Sequence, residues 1–98
     1  MVKVIFRQEA INDLSDIWEY TLRKCSERQA DYCYETLRLS GSEISKNPNI
    51  GRVYNEISKN LFGLKSERHI IFYHKASDDK IEIIRILHER MDLKNRLP

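Results

Sequence analysis

Hydrophobic positions change their spacing along this chain, and each change marks an element. Val2 to Phe6 is a short run of β-branched and aromatic residues, which predicts a first strand. Ile11, Leu14, Trp18, Leu22 and Cys25 then recur at intervals of three and four, one apolar stripe that Ala10 and Ile17 widen. That spacing belongs to a helix packed on one side, with Trp18 turned into the core. Ser26, Glu27, Arg28 and Gln29 have the form of a capping box, in which the Ser hydroxyl accepts the Gln amide and the Gln side chain reaches back. A second helix therefore starts there. Its stripe is Ala30, Cys33, Leu37, Gly41 and Ile44, and Asn47-Pro48 stops it because proline disfavours helical geometry in the residue before it. So short a connection makes the two helices an antiparallel hairpin. Gly41 costs about 1 kcal/mol of helix propensity relative to Ala. Its expected use is close approach of the first helix, with Cys33 a small hydrophobe in the same contact.

The second half reads differently. Pro48 to Gly51 is loop chemistry, and Arg52 to Lys59 shows no clear period. Leu61 to Leu64 predicts a strand, Lys65 to Arg68 a polar turn, and His69 to His74 the partner strand of a hairpin. Ala76 to Lys80 is a second turn, and Ile81 to Leu87 a further strand interrupted only by Glu82 and Arg85. Its near-continuous apolar character implies a sheet covered on one face by helices and on the other by a partner or by the tail. The order β-α-α-β-β-β predicts an α+β fold: an N-terminal strand and an antiparallel helical hairpin packed on a mostly antiparallel sheet. Asp92 to Leu97 is helix-compatible but short, and needs something to dock on.

A chain of 98 residues is expected to form a single domain (1–98), with 89–98 a basic tail. Its core is modest, so a binding partner would help it. A net charge of +2 is too mild for a nucleic-acid protein, and no direct sequence-specific DNA binding is expected. The distribution says more. Glu9, Asp13, Asp16 and Glu19 run along the first helix, whereas Arg85, Arg90, Lys94 and Arg96 crowd the end of the chain against Glu89 and Asp92. Two contact surfaces of opposite sign follow. Cys25 and Cys33 have no zinc-ligand spacing and read as reduced thiols. No apolar run reaches the roughly 18 residues that span a bilayer, and the amino terminus has no signal-peptide core, so a cytoplasmic protein is expected. No phosphate loop, nucleophile triad, metal motif or paired-carboxylate motif is present, and no cofactor or metal is expected.

Arg68, His69, His74, Arg85, His88 and Arg90 fall on or just beyond the last two predicted strands. If the strands pair, some converge, with arginines as phosphate clamps and histidines as acid and base. Strand parity works against one shared site. His69 to His74 is an odd step of five and Arg85 to His88 an odd step of three, so each pair points to opposite faces unless a bulge shifts the register. Tyr20, Tyr32, Tyr34, Tyr54 and Tyr73 are scattered and do not form a stacking platform for single strands.

Several runs together resemble one family. They are Gly63-Leu64, H-I-I-F-Y at His69 to Tyr73, and I-R-I-L-H-x-R-M-D at Ile84 to Asp92. Upstream stand A-x-x-D-L at Ala10 to Leu14, an aromatic at Tyr20, and N-P-x-I-G at Asn47 to Gly51. This pattern resembles the ParE branch of the RelE/ParE toxin superfamily over nearly the whole chain. The resemblance implies the same architecture and a toxin of a type II toxin–antitoxin system, one that binds DNA gyrase at its A subunit and blocks replication. It implies a ParD-like antitoxin as partner, in a heterotetramer or larger assembly whose DNA-binding module the antitoxin carries. Candidate gyrase contacts are Arg85, His88, Arg90, Lys94 and Arg96; candidate antitoxin contacts are Trp18, Tyr34, Ile71 and Tyr73. The alternative is a ribosome-dependent messenger RNA endonuclease using Arg68, Arg85 and His88. RNA-cleaving relatives often end in a functional Tyr, and here no tyrosine follows Tyr73.

Overall fold

The computed structural model describes residues 2–90. In chain order the elements are β1 (Lys3–Phe6), α1 (Gln8–Lys24), α2 (Glu27–Lys46), β2 (Arg52–Val53), β3 (Phe62–Ser66), β4 (His69–Ser77) and β5 (Lys80–His88). One sheet holds all the strands in the order β1-β5-β4-β3-β2. β1 runs parallel to β5 and the other pairs are antiparallel. The predicted β-α-α-β-β-β order is present with one addition. β2 is two exposed residues paired with Phe62 and Gly63, too short to show a period.

Both helices form where their stripes place them, but in α1 only Leu14 of the stripe and the flanking Ala10 are buried, while Ile11, Leu22 and Cys25 are exposed. The Arg7 amide joins the Ile83 carbonyl at 2.9 Å, so the chain turns from strand into α1 while still tied to β5. α2 starts at Ser26, whose hydroxyl accepts the Gln29 amide at 3.1 Å, a cap that stabilises by about 1 kcal/mol. Ala10, Leu14, Leu37 and Ile44 face Ile71, Tyr73, Ile81, Ile83 and Ile86 across the helix–sheet interface. Trp18 is not in this core. It is part-exposed between the helices, and its indole N–H donates to Asp31 Oδ1 at 3.0 Å. Gly41 does serve a close approach, but not that of the first helix. A Cβ there would lie 3.2 Å from the Phe6 ring and 3.8 Å from Ile83, so its bare backbone seats α2 on β1 and β5.

The other face of the sheet is apolar too. Leu61, Ile70, Phe72, Ile84 and Leu87 form a second cluster, and Tyr54 and Ile57 from the unpatterned segment pack against it. Tyr54 meets Phe72 edge-on at 5.3 Å. That two-sided burial explains why the last strand reads as an almost unbroken apolar run.

A bulge decides which residues share a face. Phe72 pairs with Arg85 and Tyr73 with Ile83, leaving Ile84 as the extra residue of β5. Ile83 and Ile86, three apart, therefore both enter the helix-side core, while Ile84 and Leu87 lie opposite. No helix among the described residues is long and apolar enough to cross a membrane.

Candidate functional site

The chemistry-bearing residues gather where β4 begins and β5 ends. β1 accompanies β5 only as far as Ile83. Past that point α1 takes over: Asp13 Oδ2 accepts the Ile86 amide at 3.0 Å. The same carboxylate clasps Arg85 with both oxygens, Oδ2 to Nε at 2.8 Å and Oδ1 to Nη2 at 2.9 Å. The side chains of Arg85 and Asp13 are 21% and 12% accessible, so the pair is largely shielded. Its hydrogen bonds to Asp13 push the Arg85 guanidinium above its ordinary value. The A-x-x-D-L run thus has a physical meaning: Ala10 and Leu14 are buried while Asp13 closes the edge of β5.

His69 and His88 are directly opposed across the β4–β5 ladder. Their rings meet edge-on, with centroids 5.4 Å apart. His88 Nδ1 accepts the Arg90 amide at 3.1 Å, which puts the proton of the neutral ring on Nε2. His69 Nδ1 is buried without a hydrogen-bond partner among the described residues. Burial first, and the His88 charge second, push His69 below the usual imidazole range, with Glu89 opposing. Asp13, Asp16 and Ile17 of α1 join His69, Arg85 and His88 around a cavity of about 140 Å³. Arg85 and His88 line one cavity despite their odd spacing because β1 stops at Ile83, and past it the Arg85 side chain reaches Asp13 of α1.

The remaining candidates separate. Arg68 is exposed in the β3–β4 turn, its carbonyl accepting the Glu89 amide at 2.9 Å, and it does not line that cavity. His74 is elsewhere on the sheet, its Nε2 2.7 Å from Glu82 Oε1, an oxygen that also takes Arg7 at 2.7 Å. Arg90 is exposed, and Lys94 and Arg96 lie outside the described residues, as does most of the 89–98 tail.

Of the antitoxin candidates, Tyr34 is 37% exposed and Trp18 part-exposed. Ile71 and Tyr73 need correcting. At 1% and 0% exposure they are spent on the helix–sheet core and offer no surface. Tyr73 instead pins a loop from inside: its hydroxyl donates to the Pro48 carbonyl at 2.9 Å and accepts the Gly51 amide at 3.0 Å. A Cβ on Gly51 would stand 2.7 Å from that oxygen, so the N-P-x-I-G loop and the tyrosine fit only as a set. The hairpin also exposes Tyr20, Tyr32 and Leu39, and with them Ile11 and Leu22, which the α1 stripe predicts to be turned inward. Among the described residues no group of three or more His, Cys, Asp or Glu could hold a metal ion.

The same arrangement of hairpin and sheet occurs in a solved structure described as "Chromosomal ParDE TA system from P. aeruginosa". The TM-score is 0.78 and the match covers 90% of this chain and 96% of that one, at 16% identity. That likeness defines the class of fold. The sequence goes further: the model of the family described as "ParE toxin of type II toxin-antitoxin system, parDE" matches residues 4–93, and the chain belongs to that family. It is 31% identical over 84 residues to Toxin ParE1 of Mycobacterium tuberculosis (strain H37Rv), covering 86% of each chain. To Toxin ParE1 of Caulobacter vibrioides (strain CB 15) it is 31% identical over 86 residues, covering 87% of this chain and 86% of the relative.

Proposed function

We propose that this toxin arrests growth by binding DNA gyrase at its A subunit and stabilising the cleaved-DNA complex, without chemistry of its own. The observation that carries binding over cleavage is the Asp13 clasp on Arg85. It occupies the cation a nuclease would aim at a phosphate. His88 Nδ1 is likewise engaged by the Arg90 amide, and Arg68 stands outside the cavity that Arg85 and His88 share. Arg85 therefore leaves the set of gyrase contacts. Arg90, Lys94 and Arg96 remain, with His88 at their root.

In this reading residues 1–98 act as one domain in the cytoplasm, paired with a ParD-like antitoxin. A disordered antitoxin tail folds over the helical hairpin, where Tyr20, Tyr32 and Leu39 are exposed beside Trp18 and Tyr34. The antitoxin supplies operator binding, and the assembly is a heterotetramer or larger.

The test is a supercoiling and DNA-cleavage assay with purified gyrase, ATP and plasmid, adding the toxin after release from its antitoxin. Gyrase-linked breaks are expected, and Arg90→Ala with Lys94→Ala should abolish them and the growth arrest while the fold is kept. Unaffected gyrase, with toxin shown to be folded, would sink the reading and move the weight to message cleavage at Arg68, Arg85 and His88.

A further inference from the structure

Two backbone bonds at the end of β5 set how the chain leaves the sheet. The Glu89 amide donates to the Arg68 carbonyl at 2.9 Å, and the Arg90 amide to His88 Nδ1 at 3.1 Å. No change of pH removes the first acceptor. The second is a lone pair that exists only while Nδ1 is unprotonated. Since Nε2 already carries the proton of the neutral ring, the next proton has only Nδ1 to go to. Proton uptake by His88 therefore breaks the Arg90 bond and sets one donor against another.

The neighbouring ring directs the proton there. A charged His69 would leave its buried, unpartnered Nδ1 without an acceptor, and burial disfavours the charged form of that ring. The other charges around the pair are Asp13 and Asp16 from α1, Arg85 from β5, Glu89 beyond it, Lys65 from β3 and Arg68 from the turn. Asp13 is matched by Arg85 and Glu89 by Lys65.

We propose that His88, held beside His69, is a proton-operated latch on the root of the basic tail, closed with the ring neutral and opened by one proton. Its consequence, that toxin engages gyrase best with the latch closed, rests on the gyrase reading; the latch itself does not.

The experiment follows the Arg90 amide and the histidine rings by NMR in the purified toxin from about pH 8 to about pH 5.5. Protection of the Arg90 amide from hydrogen exchange should fall about tenfold as His88 titrates, the loss of one hydrogen bond. The Glu89 amide should keep its protection. His88→Asn sets an amide oxygen where Nδ1 stands and cannot titrate, so its Arg90 protection should stay flat. Protection unchanged in the wild type as His88 titrates, or falling equally in His88→Asn, overturns the latch. In parallel, the ratio of acid to neutral gyrase inhibition, taken within each protein, should fall about tenfold for the wild type and stay flat for His88→Asn, whatever activity the variant has at neutral pH. If neither protein touches gyrase while the Arg90 amide still loses its protection at acid pH in the wild type alone, the gyrase reading falls and the latch stands.

Discussion

Replacing Asp13 by Ala should be among the most damaging single changes on the surface of α1. The substitution removes three hydrogen bonds at once, two from Arg85 and one from the Ile86 amide. It also leaves Arg85, whose side chain is 21% accessible, a largely shielded cation without this carboxylate. Breaking a fully buried ion pair from one side costs about 3–5 kcal/mol, and the partial access of water to Arg85 places this case near 3 kcal/mol. In a domain of this size that lowers the melting temperature by about 15 °C. Asp13→Asn keeps one oxygen for the Ile86 amide and Arg85 Nε but loses the charge and sets its NH2 group against Arg85 Nη2, so it should cost less than Asp13→Ala, about 2 kcal/mol. The assay is urea and thermal unfolding of the free toxin followed by circular dichroism, on Asp13→Ala, Arg85→Ala and the double variant. The double variant should be more stable than the two losses added together predict, by about 2 kcal/mol of coupling. If Asp13→Ala melts within about 3 °C of the wild type, or the coupling is below about 0.5 kcal/mol, the clasp does not hold α1 to β5.

Tyr73→Phe keeps the ring in the core but strands the Pro48 carbonyl and the Gly51 amide; a loss of about 1–2 kcal/mol is expected in the same unfolding assay, with faster proteolytic nicking of the 48–51 loop. An unchanged midpoint would show that the tyrosine does not anchor the loop. Glu82 is held below the ordinary carboxylate range by its bond to His74 and then by Arg7, so the stability it contributes is present above its unfolded value and disappears as pH falls through the folded one. Glu82→Gln should therefore be less stable than the wild type at neutral pH, with the gap narrowing as pH falls below the ordinary carboxylate range; a gap that is absent at neutral pH, or that widens on acidification, would contradict this.

The helices are legible in the sequence because a stripe at threes and fours has one physical meaning, and Ser26 behaves as the cap its sequence describes. The strands are legible as strands, but not their faces. In β5, Ile81, Ile83, Ile84, Ile86 and Leu87 are all buried, so no alternation reveals that Ile84 is the extra residue. Arg85 and His88 share a cavity against the parity of their spacing because the long Arg85 side chain bends to Asp13 of α1, which no strand pattern shows. Ile71 and Tyr73 look like partner contacts in the sequence because an apolar strand does not announce whether its own helices or another chain will cover it. Tyr54 and Ile57 cover the second face from a segment with no period, since two anchors three residues apart suffice to pack a loop. In the sequence Asp13 is one of several acids along a helix, with nothing in its own chemistry to set it apart from a solvated face. The neighbouring burial of Ala10 and Leu14 is the sign that this turn of α1 touches the sheet.

The place of β5 between β1 and β4 has a consequence for how the toxin is made. Lys3 pairs with Lys80, so the first strand waits for nearly the whole polypeptide before it finds its neighbour. β5 also supplies Ile81, Ile83 and Ile86 to one core and Ile84 and Leu87 to the other. A nascent chain ending at β4 has two half-built cores and no strand to join them. Closing so long a loop is slow, and until it closes the exposed apolar surface is open to aggregation or to capture by another chain. Stalled or prematurely terminated translation would therefore yield unfolded polypeptide rather than a partly active poison, and toxicity would switch on only when synthesis has passed His88.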